Sequence, residues 1–298
     1  MVSALSRASL WSHRLPPSRT KMRAGRVLTE LTTRFGAKAV CTTTMADGTV
    51  LELDPRCRTE AGPFWNGMYE PDYQRVLARL VDRLGGVVYD VGANVGLIAV
   101  PLARHVGAGG HVSCFEPVPD NTGRLRRNLA LNNLANCSVH EMALGETTGE
   151  VRIAREVRNG STSGNAVIVS GDGRRLPHYD VMQTVPVRPL DEVVAERSLQ
   201  MPNVIKLDVE GSEVGFLKGA ANTLGEARPV ILGEFNSQLM PTFGTTFLDA
   251  AAALPPNYAV FSFLDPTTVE ERLPIVGLGD VLLVPRERIP GIPVRLRQ

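Results

Sequence analysis

Residues 87–106 constrain this chain more than any other stretch. A five-residue stretch at 87–91, Val-Val-Tyr-Asp-Val, passes directly into Gly92-Ala93-Asn94-Val95-Gly96, and an apolar helical pattern at 97–106 follows. A short run of that kind suits a strand buried on both faces, and a glycine-bounded turn into a helix makes it the first half of a βα unit. Pro101 fits the helix only within its first turn, where backbone N–H groups have no intrahelical partner. The two glycines allow a tight backbone passage and close approach of a ligand to the helix start.

The same alternation recurs downstream. Strands are expected at 111–117, 136–144, 204–211 and 230–235, with helices from Asp120 to Leu131, after Pro189, and from Glu213 to Ala220. The tail offers a helix at 245–254 and strands at 258–264 and 280–284, which suit a final antiparallel pair. Seven strands in this order predict an α/β fold: one seven-stranded mixed sheet flanked by helices. Residues 38–54 read as a hairpin turning at Asp47-Gly48, and Pro71 opens a helix whose stripe is Val76, Leu77, Leu80, Val81 and Leu84. Residues 150–188 break the rhythm and read as an insertion of antiparallel strands. The chain then divides into a basic extension (1–36) and a single domain (37–298), the latter with a β/α lead-in at 37–86 and a core at 87–298.

Composition removes several classes. A length of 298 residues, 43% hydrophobic and 21% charged, is ordinary for a globular chain and too apolar for disorder. The net charge of +1 supplies no global field for nucleic acid, although residues 1–36 hold seven Lys or Arg against one acid. Four cysteines and five histidines show no metal-ligand spacing, so no zinc site is expected, and reduced, cytoplasmic chemistry is favoured. No run of 18 apolar residues supports a membrane span, and no pattern decides whether the chain forms a homo-oligomer.

In an open α/β sheet, ligands sit beyond the carboxyl ends of the strands. Gly92 and Gly96 form G-x-x-x-G, with Asn94 where a dinucleotide fingerprint has its second glycine, which favours a smaller nucleoside ligand over a pyrophosphate. Glu116 follows Gly92 by 24 residues at the end of the second strand, where a carboxylate accepts ribose hydroxyl bonds. Asp208 and Glu210 end the fourth strand, Lys206 shares their facing parity, and Glu234 ends the fifth. Charged residues interrupting such apolar strands need a polar destination, so these four are the catalytic candidates.

These motifs closely resemble the class I S-adenosylmethionine-dependent methyltransferases, and among them the FkbM family of mostly O-methylating enzymes. The resemblance runs from Gly67 to Phe235 and rests on the segments 67–70, 87–96, 115–121, 128–151 and 205–220 taken together. It implies a Rossmann-like fold with S-adenosylmethionine as cofactor. Gly92, Ala93 and Asn94 would line its methionine and ribose side, Glu116 would hold the ribose, and Ala143-Leu144-Gly145 would border the adenine. Glu70 resembles an acid that reaches back to the cofactor. The cofactor-binding candidates are thus Glu70, Asp90, Gly92, Ala93, Asn94, Gly96, Glu116, Pro117, Ala143 and Leu144.

Methyl transfer from a sulfonium is an in-line displacement that needs alignment and removal of a hydroxyl proton. Asp208 or Glu210 would act as base, and Lys206 would neutralise alkoxide charge. If a divalent cation takes part, oxygen ligands of this kind favour Mg2+ over zinc. The acceptor is expected to be a small-molecule hydroxyl, on a sugar or secondary metabolite. Three other readings are a non-catalytic nucleoside-binding module, a nicotinamide-dependent oxidoreductase and a nucleic-acid methyltransferase. The last lacks both a basic-aromatic stripe and the Asn/Asp-Pro-Pro-aromatic segment of amino-methylating enzymes. Trp65 and Tyr69 read as packing aromatics, and 159–166 as a polar edge over an acceptor pocket.

Overall fold

The computed structural model describes residues 3–36, 39–158, 161–168, 179–236, 238–272 and 278–297. Two helices open the chain, α1 (Ala4–Ser12) and α2 (Arg19–Arg34). The lead-in is a hairpin of β1 (Cys41–Thr44) and β2 (Val50–Leu53), then α3 (Arg58–Asn66) and α4 (Pro71–Leu84). The hairpin turns where Asp47-Gly48 predicts it, with Gly48 at φ 83° and the Asp47 carboxylate accepting from the Thr49 backbone N–H at 2.8 Å. Helix α4 buries Val76, Leu77, Leu80 and Val81, the stripe legible in sequence.

The core begins with β3 (Val87–Val91), α5 (Ala99–Val106), β4 (His111–Phe115), α6 (Pro119–Leu131) and β5 (Cys137–His140). Pro101 sits third in α5, where its missing N–H forfeits no helical bond. The insertion comprises β6 (Ala143–Leu144), β7 (Gly149–Arg158), β8 (Ser161–Ile168) and β9 (Tyr179–Arg188). Next come α7 (Leu190–Arg197), β10 (Val204–Leu207), α8 (Glu213–Gly219), α9 (Ala221–Ala227) and β11 (Val230–Asn236). The tail holds α10 (Phe247–Ala253), β12 (Tyr258–Asp265), β13 (Thr268–Glu271), β14 (Leu278–Pro285) and β15 (Arg295–Arg297).

The seven expected strands lie side by side as β5-β4-β3-β10-β11-β14-β12, and β13 and β15 extend that edge to nine. Numbered by order along the chain, the seven run 3-2-1-4-5-7-6; the dinucleotide-binding arrangement runs 3-2-1-4-5-6. The difference is β14, which inserts antiparallel to both β11 and β12. Strands β3, β4, β5, β10 and β11 are parallel, and the chain reverses its direction of travel across the sheet between β3 and β10. That reversal opens a crevice at the carboxyl ends of β3 and β10.

The predicted third strand at 136–144 is two strands. The chain bends at Glu141-Met142, so that β5 stays in the main sheet while β6 pairs with β9 in the insertion. In the insertion β7 pairs antiparallel with both β8 and β9. The polar edge predicted at 159–166 falls partly outside the described residues, which include 161–166 only as backbone of β8.

Alternation along the strands separates two cores. Val88, Val112, Val204 and Leu232 pack against α4, α5 and the lead-in, while Tyr89, Val91, Ile205, Leu207 and Ile231 pack against residues of α7 to α10. The basic extension is docked: Leu5 is in the first core, and the Ser9 and Ser12 hydroxyls donate to the Phe64 and Trp65 carbonyls at 2.6 and 2.7 Å. Trp65 packs in that core as well. No helix among the described residues is long and apolar enough to cross a membrane.

Candidate functional site

The crevice forms around the turn that leaves β3. Gly92, Asn94 and Gly96 adopt φ of 80°, 50° and 92°, a left-handed conformation that favours glycine or asparagine. The turn is held because Gly92 and Ala93 donate backbone bonds to the Phe115 carbonyl at 2.9 and 3.1 Å. A Cβ on Gly92 would lie 1.9 Å from the Asp208 carbonyl oxygen, so the ends of β3 and β10 approach closely only because position 92 has no side chain. Gly96 answers a different need: a Cβ there would meet Leu125 Cδ1 at 2.6 Å, a packing contact between α5 and α6. It does not line the crevice as predicted.

Glu116 closes the end of β4 and is buried. Its Oε2 accepts from the Asn94 backbone N–H at 2.9 Å, and its Oε1 accepts from the Val118 backbone N–H at 3.0 Å and Asn121 Nδ2 at 3.1 Å. Burial raises its pKa while these three donors pull it down. A carboxylate has about four acceptor positions, so one remains, on Oε2. With three protein donors already in place, Glu116 offers one free acceptor position toward the crevice.

Two connected lobes share Gly92, Asn94 and Asp208. One is lined by Glu116, Pro117, Met142, Ala143, Leu144 and Glu210, and is otherwise largely apolar. The other is lined by Tyr69, Glu70, Tyr73, Ala93, Lys206 and Glu234. The predicted residues thus assemble at one sheet edge, with Glu210 and Glu234 in different lobes and Asp208 between them.

Asp90 departs from its predicted place, whereas Lys206 lies both beneath the turn and in the wall of the second lobe. Asp90 is fully buried beneath the turn and lines neither lobe; burial raises its pKa, and its partner is Lys206 at 3.3 Å. The Lys206 ammonium donates to the Gly92 carbonyl at 2.9 Å and also faces Asp208 at 3.5 Å. Desolvation by burial lowers its pKa, but the charges of Asp90 and Asp208 outweigh that and raise it, so the ammonium stays charged where it ties the turn to both carboxylates.

Carboxylates outnumber cations in the second lobe. Glu234 is pushed up to about 8 by burial and by the charges of Asp208, Glu210, Asp280 and Glu70. Asp280, paired across strands with Glu234, is pushed up to about 6, and Glu70 and Glu210 are also raised, chiefly by burial. Glu70 and Glu210 have φ of 39° and 51°, so two of these acids stand on strained backbone at strand and helix ends. Burial raises Tyr69 and Tyr73 as well, and the Tyr73 hydroxyl donates to the Leu232 carbonyl at 3.1 Å. Among the described residues no three His, Cys, Asp or Glu side chains group as metal ligands would.

Sequence reasoning missed Tyr73, Asp280 and Asn121 and set Tyr69 aside as packing. Asp280 had a findable signal, a lone acid beginning an apolar strand run, whereas Tyr69 and Tyr73 carry none beyond their proximity to Glu70.

Strand order, the tight turn at the first strand end and the acid at the second define a Rossmann-like class I methyltransferase fold. The family profile described as "Methyltransferase FkbM domain" matches residues 90–262, more than half of the chain, and the chain belongs to the FkbM methyltransferase family. Hexuronic acid methyltransferase AglP of Haloferax volcanii is 29% identical over 165 residues, 55% of this chain and 62% of that protein, so the match spans less than two thirds of that relative. The 2-O-methyltransferase NoeI of Sinorhizobium fredii is 26% identical over 207 residues, 65% of this chain and 81% of that protein. Among solved structures, a methyltransferase FkbM from Methylobacillus flagellatus KT aligns with 20% identity and a TM-score of 0.43, covering 67% of this chain and 43% of that one.

Proposed function

We propose that this chain transfers a methyl group from S-adenosylmethionine to a hydroxyl oxygen of a sugar. The observation that carries the reading is the pairing of two lobes through Gly92 and Asp208, one largely apolar with Glu116 at its wall, the other acidic. An adenosine suits the first, with Glu116 Oε2 taking one ribose hydroxyl and Ala143, Leu144 and Pro117 bordering the base. A sulfonium and an ammonium suit the second, where Lys206 is the only cation among Glu70, Asp208 and Glu234 and is already paired.

The bound cofactor supplies an electrophilic methyl carbon. The chain supplies alignment and a destination for the hydroxyl proton. Asp208 is placed for that role because it borders both lobes, and Lys206 fixes its carboxylate from below. Glu234, protonated below about pH 8, would hold the acceptor by donating a hydrogen bond. One relative is named for a hexuronic acid, which favours a sugar acceptor, the other for 2-O-methylation, which favours a hydroxyl oxygen, and the antiparallel β14 argues against the nicotinamide alternative.

Two measurements test the proposal. Calorimetry should detect S-adenosylhomocysteine binding and none of NAD; the reverse result would sink it. Transfer of labelled methyl to hexuronic acids and neutral sugars should give a base-stable ether, whereas a base-labile label would mean carboxyl esterification.

A further inference from the structure

Helix α2 is seated with its small residues inward and its large apolar residues outward. Gly25 and Thr29 are buried, and a Cβ on Gly25 would meet the Trp65 ring at 2.7 Å. Val27, Leu28 and Leu31 are 54%, 37% and 50% exposed, and Phe35, just beyond the helix end, is 84% exposed. At 100° per residue these four fall within an arc of about 100° on one side. Arg19, Arg23, Arg26 and Arg34 flank it, all exposed and none with an ion-pair partner among the described residues. On α1, Trp11 is 63% exposed one helical turn from the exposed Arg7, and Arg14 is exposed in the turn just past the helix end.

We propose that α1 and α2 form a peripheral docking surface for an anionic lipid bilayer. An exposed apolar stripe ending in Phe and bordered by arginines matches a helix lying in the membrane interface, and the neighbouring helix adds an exposed Trp. Charge complementarity selects this occupant, because residues 3–36 carry seven basic groups against one acid. A second copy docked on the same face would oppose one strongly positive surface to another, and nucleic acid would leave the apolar stripe in water.

The test is co-sedimentation of the full chain with vesicles of phosphatidylcholine, either pure or containing about one-third phosphatidylglycerol. The anionic vesicles should bind at least tenfold more tightly, and about 0.5 M salt should remove most of the difference. Replacing both Leu28 and Leu31 by Glu should weaken binding about 100-fold, since each buried leucine contributes about a factor of ten. Phe35→Ser, at the most exposed position, should weaken it about tenfold if the double variant melts early. Equal recovery with and without vesicles overturns the proposal. So does a dimer in sedimentation equilibrium that the Leu28 and Leu31 changes abolish.

Discussion

Substituting Gly92 by Ala tests the geometry of the crevice at its tightest point. The new methyl group would lie 1.9 Å from the Asp208 carbonyl oxygen, and contacts of this kind begin at about 3.0 Å, so that carbonyl must retreat by about 1 Å. The residue must also hold φ near 80°, which costs about 1 to 2 kcal/mol outside glycine. Asp208 is tied to Val91 by a backbone bond of 3.0 Å and to Lys206 by its side chain, so the displacement loosens both lobes. A total loss of about 2 to 4 kcal/mol is expected, lowering the melting midpoint by about 3 to 6 °C. S-adenosylhomocysteine affinity, measured by calorimetry well below that midpoint, should fall at least about 100-fold, as more than 2.7 kcal/mol of binding geometry is lost. Gly96→Ala is the control: it too has positive φ, but its methyl group meets a Leu125 side chain away from the crevice. Similar destabilisation with binding retained is expected of it. The reasoning fails if Gly92→Ala binds within about threefold of the parent, or if both variants lose affinity equally.

Three further perturbations separate the remaining roles. Glu116→Gln replaces an acceptor of three hydrogen bonds by an amide, and ligand affinity should drop about 10- to 100-fold in calorimetry; an unchanged constant would remove Glu116 from the binding site. For Glu234, the folded chain keeps its proton up to about pH 8 while the unfolded chain releases it near 4.5, so its contribution to stability falls as pH rises across that interval. Glu234→Gln should therefore match the parent at pH 4 and exceed it by about 1 to 2 kcal/mol at pH 9, a figure reduced because the carboxyl is open to the crevice; a pH-independent difference in scanning calorimetry would count against this. Glu60, buried and paired with Arg124, joins the lead-in to α6. Glu60→Ala leaves that guanidinium uncompensated and should cost about 3 to 5 kcal/mol in urea unfolding, and a loss below about 1 kcal/mol would mean that water replaces the carboxylate.

The parallel strands were legible because burial on both faces leaves a short, mostly apolar run broken by a single charge, Asp90 in Val88 to Val91 and Lys206 in Val204 to Leu207. The division of 136–144 was not, because Met142, Ala143 and Leu144 are all buried and continue the apolar pattern across a change of sheet. Strand β15 is exposed at every residue and polar at two of three, so no periodicity marks it. The outward face of α2 was read only as charge. Its apolar stripe was visible, but periodicity alone assigns such a stripe to the core, and here Gly25 and Thr29 take that place instead.

The site shows the same division between identity and role. Asp90 joins Lys206 and Asp208 only through the register of β3 with β10, whereas the sequence shows the shared parity of the latter two. It does not order them by depth. Register aligns Asp90 with Lys206, and the Gly92 turn then folds over both, leaving Asp208 as the member nearest solvent. Burial thus sorts three similar-looking charged residues into a foundation and one exposed carboxylate. Opposite it, Glu234 is buried among other carboxylates, and burial first, then their charges, keep its proton on. An acidic lobe held partly neutral in this way costs little to keep folded, yet it favours any cation that enters, because entry restores the charges that crowding had suppressed.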